Sequence, residues 1–377
     1  MDKGVETRFE IAFSDEQAML LESAVALVQD KSSSRRAREL AESASGYDEA
    51  AWREMAELGW TGVAIPEQYG GAGLDIADAT PILEALGSGL MASPLLGTLL
   101  ASRAIAGSGD EAAMAKWLPK LAGGAVGALA LAEDENAWEW STPACKARRE
   151  GDVVALQGVK RSVAFAAAAD VVVASVTVEG RPRFVAIPRE ALEGRIRPET
   201  TTDVTQRTST VDLDGLKVAA SDLLPDVDVE AVARAATLLQ AAEMCGGVAS
   251  AIEYTLDYLK TRKAFGRLIG SYQGLKHVMA DAYVQYELLR SLVYSAATSL
   301  HGEDGEFLVR MAKTKANELF VHVGDRAVQF HGGFGFTWDC DAGLYLRRAI
   351  WSQSQYGDAR HHRKRLAPLL LEQQGRI

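Results

Sequence analysis

The chain has 377 residues, 48% of them hydrophobic, which is enough for two or three cores rather than one. Its formal net charge of −11 argues against nucleic acid or an anionic membrane as a bulk partner. No apolar run reads as a bilayer span and the start MDKGVETRFEIAF has no signal-peptide core, so a soluble, cytoplasmic protein is expected.

Ser14, followed by Glu16 and Gln17, predicts a capped helix whose apolar positions are Met19, Leu20, Ala24, Leu27 and Val28. A second helix is predicted from near Asp48, with Trp52, Met55, Ala56 and Leu58 on one face. Glycines and a proline make residues 59–74 a loop. Residues 82–106 read as a helical pair broken at Ser93 and Pro94, and Asp110 opens another helix carrying Trp117, Leu118 and Leu121. From near Ala130 to Pro225 valine, threonine and alternation dominate. Residues 153–156, 171–178, 183–187 and 208–213 read as strands, with Glu179-Gly180 as a turn. Helical patterning returns from Asp226 to the end. The expected organisation is an N-terminal helical domain (1–129), a middle antiparallel β domain (130–226) and a C-terminal helical bundle (227–377), mainly α overall.

Three cysteines, Cys145, Cys245 and Cys340, lie far apart, and six histidines show no ligand spacing. Neither a disulfide framework nor a metal site is expected. The informative stretch is EMCGGVASAIEYTLDYLKTRKAFGRLIGSYQ, residues 243–273. It starts as a helix and ends in Lys260, Arg262 and Lys263, then Phe265 and Gly266. Basic residues there suit a helix C-terminus, and a glycine stops it. The same residues also suit an anion: Arg262 offers a planar fork to a phosphate, with Phe265 and Gln273 near it. A second segment, QFHGGFGF (329–336), follows a long helical pattern over 307–328, and its glycines can end a helix or admit a cofactor.

Together, RKAFGRLIGSYQ and QFHGGFGF resemble the C-terminal half of the acyl-CoA dehydrogenase family, and GWTGVAIPEQYGGAGL resembles its early loop. The resemblance spans nearly the whole chain. It implies a helical, β, helical-bundle fold, FAD as cofactor, an acyl-CoA substrate and electron-transfer flavoprotein or a similar acceptor. It also assigns Arg262, Phe265, Gln273, Gln329, Gly332 and Gly333 to the adenylate and pyrophosphate end of FAD. In this family that end of each flavin is held partly by the neighbouring subunit.

The reacting end departs from the family pattern. The carboxylate that takes the α proton usually precedes a glycine in a C-terminal motif, and here Tyr356 precedes Gly357. A phenol with a pKa near roughly 10 is a poor base at neutral pH. The other family position, on the helix before RKAFG, is Ala236. Glu243 and Asp358 are the remaining candidate bases. The stretch matching the family's Thr-Glu-Pro contact is Ala132, Glu133, Asp134, Glu135, Asn136 and Ala137, an acidic run that would repel a phosphate. The family's Trp-x-Thr strand is replaced along 157–165.

The resemblance therefore implies the base-lacking subunit of a heteromeric enzyme, paired with a homologous chain, α2β2, as in assemblies acting on bulky thioesters such as steroid side chains. The alternatives are a self-sufficient dehydrogenase using Glu243 or Asp358, and a non-catalytic acyl-CoA-binding or scaffold protein of the same fold.

Overall fold

The computed structural model describes residues 11, 13–134, 138–225 and 227–374. Local capping chemistry starts the N-terminal helices. Helix α1 (Asp15–Lys31) has the Ser14–Gln17 capping box, α2 (Ser34–Glu42) is capped by Ser33, and α3 (Glu49–Glu57) by Asp48. The chain then runs through α4 (Thr80–Ser88), α5 (Leu95–Gly107) and α6 (Glu111–Ala122), with Pro94 at the start of α5 and Asp110 capping α6.

Ten strands follow: β1 (Gly127–Ala130), β2 (Lys146–Glu150), β3 (Val153–Gln157), β4 (Val159–Ala164), β5 (Val171–Val178), β6 (Arg181–Pro188), β7 (Ile196–Pro198), β8 (Thr208–Asp212), β9 (Lys217–Ala219) and β10 (Leu223–Leu224). The larger sheet has the order β10-β6-β5-β2-β3-β9, and β4-β8-β7 forms a second. Strands β5 and β6 pair residue by residue across Glu179-Gly180, both at positive φ (49° and 78°), the twist a tight hairpin needs. The expected purely antiparallel domain is corrected in one respect. Strand β1, arriving from the helical layer, pairs with β5 in parallel, and β2 touches β5 in parallel too.

The C-terminal part contains α7 (Val229–Thr261), a hairpin of β11 (Lys263–Ala264) and β12 (Arg267–Leu268), then α8 (Gln273–Thr298), α9 (Gly305–His331), α10 (Ala342–Gln353) and α11 (Ala359–Gln374). Helix α9 is central and packs against α7, α8, α10 and α11. One 18-residue window of α7 has a mean hydropathy of 1.2, so the expectation that no run is apolar enough to span a bilayer is corrected. That window is 89% buried, as suits a core helix.

Glycines set the closest approach in the fold. A Cβ on Gly87 would lie 1.8 Å from the Glu243 carbonyl oxygen, and one on Gly246 would lie 1.8 Å from the Glu84 carbonyl oxygen. Helices α4 and α7 therefore touch backbone to backbone, which seats the N-terminal layer on the C-terminal bundle.

Candidate functional site

The basic helix end is an exposed platform. Arg262 caps α7 in extended conformation and leads into the hairpin, where Phe265 (φ 52°) and Gly266 (φ 77°) form the tip. A bulky residue at positive φ costs about 1 kcal/mol or more. Phe265 pays it while 95% exposed, so its ring gains no packing within the chain. The Arg262 guanidinium and the Gln273 amide are exposed and have no partner among the described residues. Gln329 is exposed on the last turn of α9, and a Cβ on Gly332 or Gly333 would meet nothing within 4 Å. Gly332 has φ 62° and ψ −139°, a region open essentially to glycine alone. Tyr258 of α7 and His331 of α9 stack with centroids 4.1 Å apart, which brings the two sequence segments side by side. A free cationic fork, an exposed ring, exposed amides and an open glycine backbone fit the adenosine diphosphate half of FAD.

A cavity of about 650 Å³ lies between β1, β4 and the end of α10, with a lining that no sequence pattern discloses. Its walls include Trp138, Trp140, Ser162, Glu199, Trp351 and Tyr356. Trp138 reaches across from the β domain, donating from Nε1 to the Ser354 carbonyl at 3.2 Å. The volume would admit a flavin ring, but the stretch along 157–165 that lines it carries neither the tryptophan nor the threonine of the family's Trp-x-Thr pattern.

The acidic run is not a free anionic loop. The Glu133 carboxylate accepts from fully buried Lys160 at 2.6 Å and from the backbone N–H of Cys145 and Ala144 at 2.9 and 2.5 Å. Burial alone would raise its pKa; the Lys160 charge and these donors outweigh burial and hold it below the usual carboxylate range. The expected repulsion of a phosphate by Glu133 is thus corrected, because the charge is matched inside the domain. Glu135, Asn136 and Ala137 lie outside the described residues.

Tyr356 faces both this cavity and a second, much smaller one of about 30 Å³. The small cavity is walled by Leu83, Leu86, Phe165, Gln240, Glu243 and Trp351, among others. It has room for roughly one or two waters. The Gln240 Oε1 and Trp351 Nε1 atoms of its walls are buried without partners. Burial, then the nearby Glu243 charge, raises the Tyr356 phenol above its ordinary value, so it stays protonated at neutral pH. Ala236 is fully buried and offers no functional group.

Neither candidate base is free. Glu243 accepts from Arg348 at 3.0 Å and from Gln240 at 3.0 Å. Arg348 also donates to Asp203 (2.5 Å), Thr205 Oγ1 (2.9 Å) and the Leu90 carbonyl (3.2 Å), so one buried guanidinium joins all three layers of the fold. Burial pushes the Glu243 carboxyl above the ordinary range, and Arg348 opposes the rise. Asp358 accepts from the His361 backbone N–H at 2.6 Å at the start of α11 and lines neither cavity. Beneath the Tyr356–Gly357 turn, fully buried Lys313 donates to Asn317 Oδ1 (2.6 Å), the Ser352 carbonyl (3.1 Å) and the Gly357 carbonyl (3.3 Å). Burial lowers its pKa to about 7. Arg348 and Lys313 escaped sequence reasoning; the available signal was a cation on the buried face of each amphipathic helix. Among the described residues no cluster of histidine, cysteine or acidic side chains could hold a metal.

The family models for the acyl-CoA dehydrogenase N-terminal and C-terminal domains match residues 14–125 and 231–367. Acyl-CoA dehydrogenase IpdE2 of Mycolicibacterium smegmatis is 33% identical over 94% of this chain and 98% of its own length. The IpdE2 protein of Mycobacterium tuberculosis is 32% identical over 93% and 96%. Among solved structures, a Tcur3481-Tcur3483 steroid ACAD variant superimposes with a TM-score of 0.87 at 29% identity, covering 96% of this chain and 99% of that one. The ChsE4-ChsE5 complex from Mycobacterium tuberculosis shares the fold at a TM-score of 0.87 and 23% identity, covering 96% and 99%. With its helical, β and helical layers and both domain models matched, the chain belongs to the acyl-CoA dehydrogenase family, whose members are FAD-dependent oxidoreductases.

Proposed function

We propose that this chain is the base-lacking subunit of a heteromeric acyl-CoA dehydrogenase. It would supply Arg262, Phe265, Gln273, Gln329, Gly332 and Gly333 to the adenosine diphosphate end of a flavin whose reacting ring sits in a homologous partner. The partner contributes the catalytic glutamate, and the assembly is α2β2 in the cytoplasm. The observation that carries this reading is a contrast. The clamp side chains Arg262 and Gln273 are exposed and have no partner among the described residues, whereas the position of the base holds a protonated phenol and the two candidate carboxylates, Glu243 and Asp358, are already engaged. FAD, when bound, supplies the hydride acceptor for α,β-desaturation of the thioester. This chain's residues would orient the cofactor and neutralise its diphosphate.

The substrate proposed is a bulky acyl-CoA of the steroid side-chain kind, with electron-transfer flavoprotein or a similar acceptor. The steroid ACAD named in one similar structure and the two-subunit complex named in another support this direction. The test is expression of the chain alone and together with its genomic neighbour. Flavin and dehydrogenase turnover are expected only from the pair; a yellow, active lone chain refutes the split site.

The cavity of about 650 Å³ favours one second reading, a self-sufficient enzyme. It requires Glu243 to act as base despite Arg348. Dye-linked turnover by a purified lone chain, abolished by Glu243→Gln, would establish it.

A further inference from the structure

The histidine of QFHGGFGF has no part in the clamp described above, yet it is the most heavily engaged residue of that segment. Tyr254 and Tyr258 lie four residues apart on α7, so their rings project from one face a turn apart. The His331 imidazole, last residue of α9 and 3% exposed, sits between them. Its centroid is 4.8 Å from Tyr254 at an interplanar angle of 12°, and 4.1 Å from Tyr258 at 26°. His331 Nδ1 lies 2.7 Å from the Ala327 carbonyl, so Nδ1 carries the proton and donates it. Burial lowers the His331 pKa, which keeps the ring neutral.

Tyr254 also holds the far end of the turn. Tyr254 Oη accepts from the Asp341 backbone N–H at 3.2 Å and contacts Cys340 Sγ at 3.6 Å. From the N-terminal layer, Arg38 donates to the Asp341 carboxylate at 2.8 Å and twice to the Trp338 carbonyl, at 3.0 and 2.8 Å. Inside the turn, a Cβ on Gly335 would lie 2.2 Å from the Val328 carbonyl oxygen, so the turn is pressed against the end of α9. What this scaffold presents outward is Gly332, Gly333 and the exposed rings of Phe334 and Phe336, which are 46% and 82% accessible. The glycine turn is thus pinned at one end by the stack around buried His331 and at the other by Tyr254 and the partly buried Arg38–Asp341 ion pair.

We propose that Tyr254, His331 and Tyr258 form a pedestal that fixes the 332–336 turn in its dinucleotide-accepting conformation, with His331 the central positioning residue. This rests on the clamp reading and deepens it, because the turn is of use only if it meets the cofactor. A glycine-rich turn left unpinned samples many backbone states and must be ordered on binding, at a cost in affinity.

The experiment measures FAD affinity, by flavin fluorescence and by retention through desalting, on this chain co-purified with its homologous partner. The unsubstituted complex is compared with His331→Ala, His331→Phe, Tyr258→Leu and Arg262→Ala, with a thermal melt of each. His331→Ala, which removes both stacked contacts, is expected to weaken FAD binding roughly tenfold, and Tyr258→Leu, which removes one, roughly threefold. His331→Phe keeps a ring between the tyrosines and is expected to restore most of the affinity, which a loss of general stability would not predict. If the alanine variant does not assemble, Tyr258→Leu and His331→Phe carry the comparison. Unchanged FAD affinity in Arg262→Ala overturns the clamp reading itself. Weakened binding in Arg262→Ala, alongside unchanged binding in His331→Ala or Tyr258→Leu, overturns the pedestal alone.

Discussion

Replacing Arg348 with methionine removes the one cation that Asp203 and Glu243 share. The side chains of Arg348, Asp203 and Glu243 are 2%, 1% and 11% exposed, so the pair left behind stays out of water. Asp203 keeps donors from the Thr205 backbone and hydroxyl at 3.0 and 2.7 Å. Among the described residues Glu243 keeps the Gln240 amide as its one hydrogen-bond donor. Breaking a buried ion pair from one side costs about 3–5 kcal/mol. Glu243, already raised by burial, then rises further and takes up a proton. The sign follows: a carboxyl whose folded pKa lies above its unfolded value loses stability as pH rises through the window between them. The expected deficit is thus about 3–5 kcal/mol at pH 8 and smaller near pH 5.5, and Glu243→Gln in the same chain recovers part of it. Urea unfolding followed by tryptophan fluorescence at the two pH values measures all four corners of the cycle. A loss below about 1 kcal/mol at pH 8, or one that neither acid nor Glu243→Gln relieves, would refute the reasoning.

Three further outcomes are expected. Lys313, lowered by burial from 10.5 to about 7, binds fewer protons folded than unfolded between those values, so stability should rise with pH across that window. Lys313→Met should flatten the rise by up to about 5 kcal/mol, read as the difference between the two chains' unfolding free energies from pH 7 to 10. Gly246→Ala forces α4 and α7 apart at the Glu84 carbonyl and should destabilise by about 3 kcal/mol, measured by denaturant unfolding; a neutral effect would contradict the backbone contact. Tyr356→Glu places a carboxylate at the family position, yet under the split-site proposal the flavin ring is held by the partner, so the lone chain should remain without turnover in a dye-reduction assay; turnover by the lone variant would contradict that proposal.

What the sequence showed and what it hid divide along physical lines. Ser14, Asp48 and Asp110 mark helix starts because a cap acts on backbone two or three residues away, and all three caps form. The β5–β6 hairpin was legible from its valines and from Glu179-Gly180. Helix α2 was missed because SRRARELAE is short and mostly charged, with an apolar face of only Ala37, Leu40 and Ala41, of which Ala37 alone is buried. Strand β1 was missed because GALA is four residues long, buried on both faces and without alternation.

The same division runs through the site. Arg262, Phe265 and the 332–333 glycines sit in short segments whose residue types carry their own geometry, so a string of letters was enough to place them on a helix end and two turns. The fate of Glu243 was set by Arg348, 105 residues later in the chain, and by Asp203 from the β domain. Glu133 was decided by Lys160 on a neighbouring strand in the same way. A carboxylate's availability depends on which cation is folded against it, and no periodicity records that choice. Here each choice goes against free acid–base chemistry: Glu243 is bound to Arg348, Glu133 to Lys160, and Asp358 to the first turn of α11. Glu243 and Glu199 do line the cavities beside Tyr356, but Glu243 is held by Arg348, and Glu199 accepts from Thr210 Oγ1 at 2.7 Å and from the Ser162 backbone N–H at 3.1 Å, so neither is left free for proton transfer. Arg348, the buried cation that neutralises Glu243, also ties the layers together, so freeing Glu243 for catalysis would loosen the junction that holds Tyr356 and α10 in place.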